Sequence, residues 1–305
     1  MFDYKRLIRK SIQSHTLLGD VFSYSLIKMG FADKYLAGLV SMYKSYHWLE
    51  KKFANEVRKL PVSQIKIEEK TAQNNYVWIC WLQGMENAPQ VVRECYQSIQ
   101  YWIHDKKIVV ITADNFDEYV SFPEYIVEKW KKGIISNTHF SDLLRLELLI
   151  RYGGLWLDAT TMMTGPLPEY ITESDFFVYH NGWMDMEMID IGNWLIYSKK
   201  NYCKLLIDTR DLLYKYWKNY NYSRNYFIFH MFFRMACNRN PDLWEKVPYF
   251  NQLDNHLLMR ELNKIYNPIR IRYIKSITTV HKLTYKLTEM QDDCTAKHLV
   301  EIIKS

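Results

Sequence analysis

The 305-residue chain reads as an α/β protein, a mostly parallel sheet flanked by helices and preceded by an N-terminal helical region. Three observations carry this. Short apolar runs, YVWICW from Tyr76 and KIVVIT from Lys107, alternate with helical stretches, the pattern of parallel strands joined by crossover helices. A third run, Leu155, Trp156 and Leu157, follows a leucine-rich helix and ends in Asp158. Ahead of all of these, Leu36, Leu39, Val40 and Tyr43 fall at helical spacings of three and four.

Residues 1–70 form the helical region, closed near Pro61, and residues 71–305 the α/β domain. Lys5, Arg6, Arg9 and Lys10 stand beside Phe2, Leu7 and Ile8. That pattern suits either a helix lying on an anionic membrane surface or one packed on its own domain or a second subunit. The first strand is followed by the turn-like LQGMENAP and a helix from about Val91 to Trp102. The second ends near Asp114 and Asn115, and the segment through Trp130 reads as helical. Ser141 is an N-cap residue type and Gly153 or Gly154 a helix terminator, which predicts a helix over 142–152. Further on, Asn193 to Tyr197 reads as a strand, the flanking segments up to Cys237 as helices, and RIRYI after Pro268 as another strand. In a parallel sheet ligands sit beyond the carboxyl ends of the strands. The loops after Trp81, Thr112 and Asp158 are therefore expected to share one crevice.

Composition narrows the function classes. The chain is 48% hydrophobic, with only 10 Gly and 8 Pro, so a linker-like or disordered composition is excluded. Lys and Arg number 40 against 34 Asp and Glu. The excess is scattered, and no nucleic-acid module can be read, so no nucleic-acid partner is expected. Five widely spaced cysteines without a CxxC pair read as reduced thiols of a cytoplasmic protein. The N-terminus lacks a signal-peptide pattern, and no run reaches about 18 apolar residues.

Asp142 and Arg145 lie three apart on one helix face, where they either pair with each other or serve a ligand. Their helix is otherwise strongly apolar and leads into the strand that delivers Asp158, and charged groups at such a junction need partners. Asp114, at the end of the second strand, is a candidate for nucleobase or ribose contact, or else a turn residue. Gln83 and Asn87 are polar members of the loop after the first strand. Tyr226 and His230, four apart on a predicted helix, suit core packing better than an acceptor contact. Asp185, Glu187 and Asp190 read as a solvated acidic loop or as holders of an acceptor hydroxyl.

The wording SDLLRLELLIRYGGLWLDAT resembles the donor-binding core of glycosyltransferase family 32 and, more closely, the capsular polysaccharide synthesis family. VWICWLQGMENAPQVVRECYQSI, IGNWLIYSKKN, NYFIFHMFF and HKLTYK add to the resemblance, which covers about residues 71–290. It implies a GT-A-type nucleotide-sugar-binding fold and retaining transfer of a hexose, galactose or glucose, from a UDP-sugar to a lipid-linked capsular repeat-unit intermediate. By matching position Asp158 would hold ribose and donor sugar, and Asp142 and Arg145 the sugar. Trp81 would stand where uracil stacks.

The related enzymes carry a DxD motif whose second carboxylate binds a divalent metal. Here Asp158, Ala159 and Thr160 stand in a row, with a neutral hydroxyl in that place. Mn²⁺ and Mg²⁺ prefer carboxylate and phosphate oxygens. Either Asp158 takes the metal, with His281 as a further ligand, or cationic side chains neutralise the phosphates. Lys282, Thr284 and Lys286 in one short segment suit a diphosphate leaving group. Two other classes remain: a glycoside hydrolase using a pair of carboxylates, and a non-catalytic nucleotide-sugar-binding or scaffold protein of capsule assembly.

Overall fold

The computed structural model describes residues 4–61, 75–181, 188–287 and 291–304. The expected boundary near residue 70 and the candidates Asp185 and Glu187 lie outside them. Among the described residues there are seven strands: β1 (Tyr76–Cys80), β2 (Lys107–Ile111), β3 (Gly154–Leu157), β4 (Thr161–Met163), β5 (Phe176–His180), β6 (Ile191–Ser198) and β7 (Val280–Lys282). Five form one sheet in the order β2-β1-β3-β6-β5, and β4 pairs with β7 in a separate two-stranded ribbon. β1 runs parallel to β2 and β3, while β6 is antiparallel to both neighbours. This is the mostly parallel sheet flanked by helices that the GT-A-type expectation requires.

The sheet is covered on both faces, which is why its strands read as continuous apolar runs. Trp78 and Trp156 join Phe140, Leu144 and Leu148 in one buried cluster. Val77, Ile79, Leu155 and Leu157, alternating with them, join Val92, Ile99 and Phe177 in another. Full burial of each such aliphatic side chain contributes about 1.5–3 kcal/mol.

The helix Lys34–Lys59 is capped by Asp33, whose Oδ1 accepts from the Leu36 amide at 2.7 Å. It seats Tyr46, Leu49 and Phe53 in the first cluster, with Phe53 edge-on to Phe232 at 5.0 Å.

The helix before β3 spans Asn137–Tyr152, one turn longer than 142–152, because Ser136 and not Ser141 is its cap. Ser136 Oγ accepts from the His139 amide at 3.2 Å. At the other end Gly153 and Gly154 both have positive φ, 65° and 93°. A Cβ on Gly154 would lie 2.5 Å from the Tyr76 carbonyl oxygen, so this close approach of β3 to β1 requires glycine.

RIRYI is a second correction. It lies in a helix, Pro268–Ile277, capped by Asn267 and opened by Pro268. Ile271 and Ile274, three apart, are its buried positions, so the period is helical and not two.

Candidate active site

Parallel pairing in register brings the ends of β2, β1 and β3 to one edge, as expected for a shared crevice. Trp78 faces Trp156 across β1 and β3, so Cys80 and Asp158 emerge side by side. Burial pushes the Cys80 thiol up to about 12, and Ser141, Arg145 and Asp158 are close enough to modulate it. It stays a neutral thiol.

Asp158 opens a tight turn: its amide donates to the Trp194 carbonyl at 2.8 Å, and its own carbonyl accepts from the Thr161 amide at 2.8 Å. Arg145 Nη1 donates to Asp142 Oδ1 at 2.7 Å, and Nη2 to Asp158 Oδ1 at 3.0 Å. Trp156 Nε1 donates to the same Asp158 oxygen at 3.0 Å, and Asn193 Nδ2 to Asp142 Oδ1 at 3.0 Å. The guanidinium lies 4.8 Å from the Trp156 ring centroid and 5.5 Å from that of Phe229. From β7, Lys282 Nζ donates to Asp158 Oδ2 at 2.8 Å and to Thr160 Oγ1 at 2.6 Å. The choice between a self-contained Asp142–Arg145 pair and a wider site thus resolves into one network of two carboxylates and two cations.

Burial raises the Asp142 carboxyl above its ordinary value, against the pull of Arg145. Burial would raise Asp158 too, but the Lys282 ammonium and the Arg145 guanidinium outweigh it and hold the group below the usual carboxylate range. Of the two carboxylates, Asp158 is the one whose charged form its surroundings favour more.

The other candidates sort by position. Thr160 and Ala159 are buried in the turn after β3. Trp81 is half-buried and edge-on to Tyr285 at 5.4 Å. Its Nε1 is buried and has no hydrogen-bond partner, which leaves a donor for a ligand. Gln83, Asn87 and Asp114 are exposed at the same edge; Asn87 Nδ2 donates to the Gln83 carbonyl, and the Asp114 amide to Thr112 Oγ1. Lys286 is exposed next to Tyr285. Asp190 pairs with Arg234 at 2.5 Å.

Two candidates are corrected. His281 does not stand with Asp158 as a metal ligand. Neighbouring residues of a strand point to opposite faces, so while Lys282 reaches Asp158, His281 is fully buried with Nε2 2.9 Å from Thr164 Oγ1. Tyr226 and His230 do not share a helix, because the helix begins at Ile228. Tyr226 precedes it and is exposed, whereas His230 is buried near Arg145 and Asp158 with Nδ1 unpartnered.

The residues present do not fit a divalent metal. Both Asp158 oxygens already accept from cationic or indole donors, and the neighbouring position offers a hydroxyl that Lys282 occupies. Among the described residues no group of three or more His, Cys, Asp or Glu side chains converges on a point.

Sequence reasoning missed Asn193, Trp156 and Tyr285 as neighbours of the site. Asn193 had a signal, being the one amide in the apolar strand IGNWLIYS.

A family profile described as capsular polysaccharide synthesis protein matches residues 32–299. The chain belongs to that family. The match takes in the whole of the helix Lys34–Lys59, which lies ahead of the resembling motifs of residues 71–290. Among curated proteins no relative matches the chain. Among solved structures, one described as PaToxG Glycosyltransferase superposes with a TM-score of 0.36 at 12% identity, covering 88% of this chain and 95% of that one.

A cavity of about 1760 Å³ in this capsule-synthesis protein lies between the N-terminal helices Tyr4–Gln13, Leu17–Lys28 and Lys34–Lys59 on one side and residues 132–139 and 221–227 on the other. His139 and Tyr226 line it, and they adjoin the charged network. His139 acts on Asp142, and Asp142 and Asp158, after burial, raise the Tyr226 phenol.

His230 and His281 make stability pH-dependent. Burial lowers both from 6.5 to about 3. Below about pH 6.5 the unfolded chain takes up protons that the folded protein refuses until about pH 3. Stability therefore falls on acidification through that window, by up to about 1.4 kcal/mol per pH unit for each histidine. Urea midpoints across the window should show a shallower slope for His281→Gln than for the wild type. Equal slopes would contradict the burial of a neutral His281.

Proposed function

We propose that this capsule-synthesis protein is a retaining hexosyltransferase that moves galactose or glucose from a UDP-sugar to a lipid-linked repeat-unit intermediate. The observation that carries the reading is the Asp142–Arg145–Asp158–Lys282 network at the carboxyl edge of the parallel strands. In this reading Asp158 and Asp142 hold hydroxyls of ribose and sugar, and Arg145 fixes both carboxylates in place. Lys282 and Lys286 face the diphosphate, whose charge grows as the glycosidic bond breaks. Trp81 offers its ring and free Nε1 to the base. The cavity beside Tyr226 admits the acceptor. Release of nucleoside diphosphate from a UDP-hexose by the purified wild type, lost in Asp158→Asn, is the result that tests this reading.

The same reading places the chain at the cytoplasmic face of the membrane. No helix among the described residues is long and apolar enough to cross a bilayer. The N-terminal helices and the connection between them nevertheless expose Leu18, Phe31 and Tyr35 at 88%, 74% and 71%. Residues 1–44 carry seven Lys and Arg against three Asp. Apolar side chains with excess positive charge favour an anionic lipid surface. Flotation should show binding to phosphatidylglycerol vesicles over phosphatidylcholine vesicles, cut at least about tenfold in Leu18→Asp/Phe31→Asp. Equal recovery on both vesicle types, or none on either, would remove the membrane from the account.

A further inference from the structure

We infer that the Lys282 ammonium serves as the built-in counter-cation of the donor diphosphate, so that the protein binds its nucleotide without a divalent metal ion. The inference rests on the donor-site reading above and deepens it.

The ammonium is held in place by the fold. β7 pairs with β4 so that Lys282 stands opposite Thr161, and the Leu283 amide donates to the Thr160 carbonyl at 2.9 Å. Pairing of β7 with β4, continued by the Leu283 bond, fixes the backbone from which the side chain projects. Two of the three ammonium donors are used, at Asp158 Oδ2 and Thr160 Oγ1. The third is left for a phosphate oxygen.

A divalent ion has little to bind here. Mn²⁺ or Mg²⁺ wants about six oxygens, including one or two carboxylates free to coordinate. Asp158 Oδ1 is taken by Arg145 and Trp156, and Oδ2 by Lys282. An ion at Oδ2 would have to expel the ammonium or sit against it, with Arg145 on the far side of the same carboxylate. Thr160 supplies no compensating negative charge. The network of two carboxylates and two cations is neutral, so a diphosphate meets positive donors without needing a metal to cancel surplus carboxylate charge. Lys286, exposed in the same segment, adds a second positive charge.

Calorimetric titration of UDP, with GDP and ADP alongside, tests this in EDTA and in Mn²⁺. Wild-type affinity for the preferred nucleotide is expected to agree within about threefold between the two buffers. Lys282→Met should weaken it at least about tenfold in EDTA, and Lys282→Arg should largely keep it. Thr160→Asp/Lys282→Ala, which restores a second carboxylate and removes the cation, should bind at least about tenfold more tightly with Mn²⁺ than with EDTA. Wild-type binding that disappears in EDTA and returns with Mn²⁺ overturns the inference and leaves the donor site standing. Undiminished binding by Lys282→Met does the same. Absence of all three nucleotides from the wild type in both buffers overturns the donor-site reading itself.

Discussion

Arg145→Ala is expected to destabilise the protein by about 3–5 kcal/mol at neutral pH, the usual result of stripping one partner from a buried ion network. The Arg145 side chain is 4% exposed and touches both carboxylates. Removing it leaves Asp142 buried with Asn193 as its remaining donor, and it also removes the stacking on Trp156 and Phe229.

The deficit should shrink on acidification. Without Arg145 the Asp142 carboxyl, already raised by burial, rises further. A group with a raised folded pKa lends its stability below the unfolded pKa and loses it as pH rises through the folded one. Asp158 works in the same direction: its carboxyl is held low partly by Arg145, and the stability this lends is present above the unfolded carboxylate pKa and lost as pH falls through the folded one. Both effects make the guanidinium matter most near neutrality. Urea midpoints at about pH 7 and about pH 4.5 read this difference. A loss below about 1 kcal/mol at neutral pH would mean that the network behaves like an exposed surface pair.

Asp158→Asn carries the largest functional effect. The change keeps the shape and replaces an anion by an amide whose nitrogen cannot accept. Lys282 and Arg145 lose the charge that orders them, and a ligand hydroxyl loses its strongest acceptor. Donor turnover should fall about 10²–10³-fold, the scale seen when one charge-matched group is removed from a preorganised site. The variant should still fold, because Asp158 is a quarter exposed and is not enclosed as Asp142 is. Turnover within about threefold of wild type would take Asp158 out of the machinery.

Much of this arrangement was legible in the sequence. β1, β2 and β3 announce themselves because strands covered on both faces must be continuously apolar, and Asp158 stands out as the charge at the end of one of them. Asp142 and Arg145 were legible because i and i+3 share a helix face. What was hidden depends on distant partners. β4 and β7 are three residues each, too short for a periodic signal, and they exist because Met162 meets His281. The contact between Lys282 and Asp158 spans 124 positions. Without that register nothing in HKLTYK says which of its side chains reaches the site, and His281 looks as eligible as Lys282. RIRYI misled because alternating charge imitates a strand, although Asn267 and Pro268 just before it form a helix start.

The most direct measurement of the central claim is donor turnover by the purified wild type across UDP-galactose, UDP-glucose, their N-acetyl forms and GDP-mannose, beside Asp158→Asn. The account predicts that one UDP-hexose is hydrolysed and that the variant loses this activity. Failure to turn over any donor, together with no detectable binding of UDP or GDP, would contradict the donor site and leave a capsule-assembly protein that does not handle nucleotide sugars.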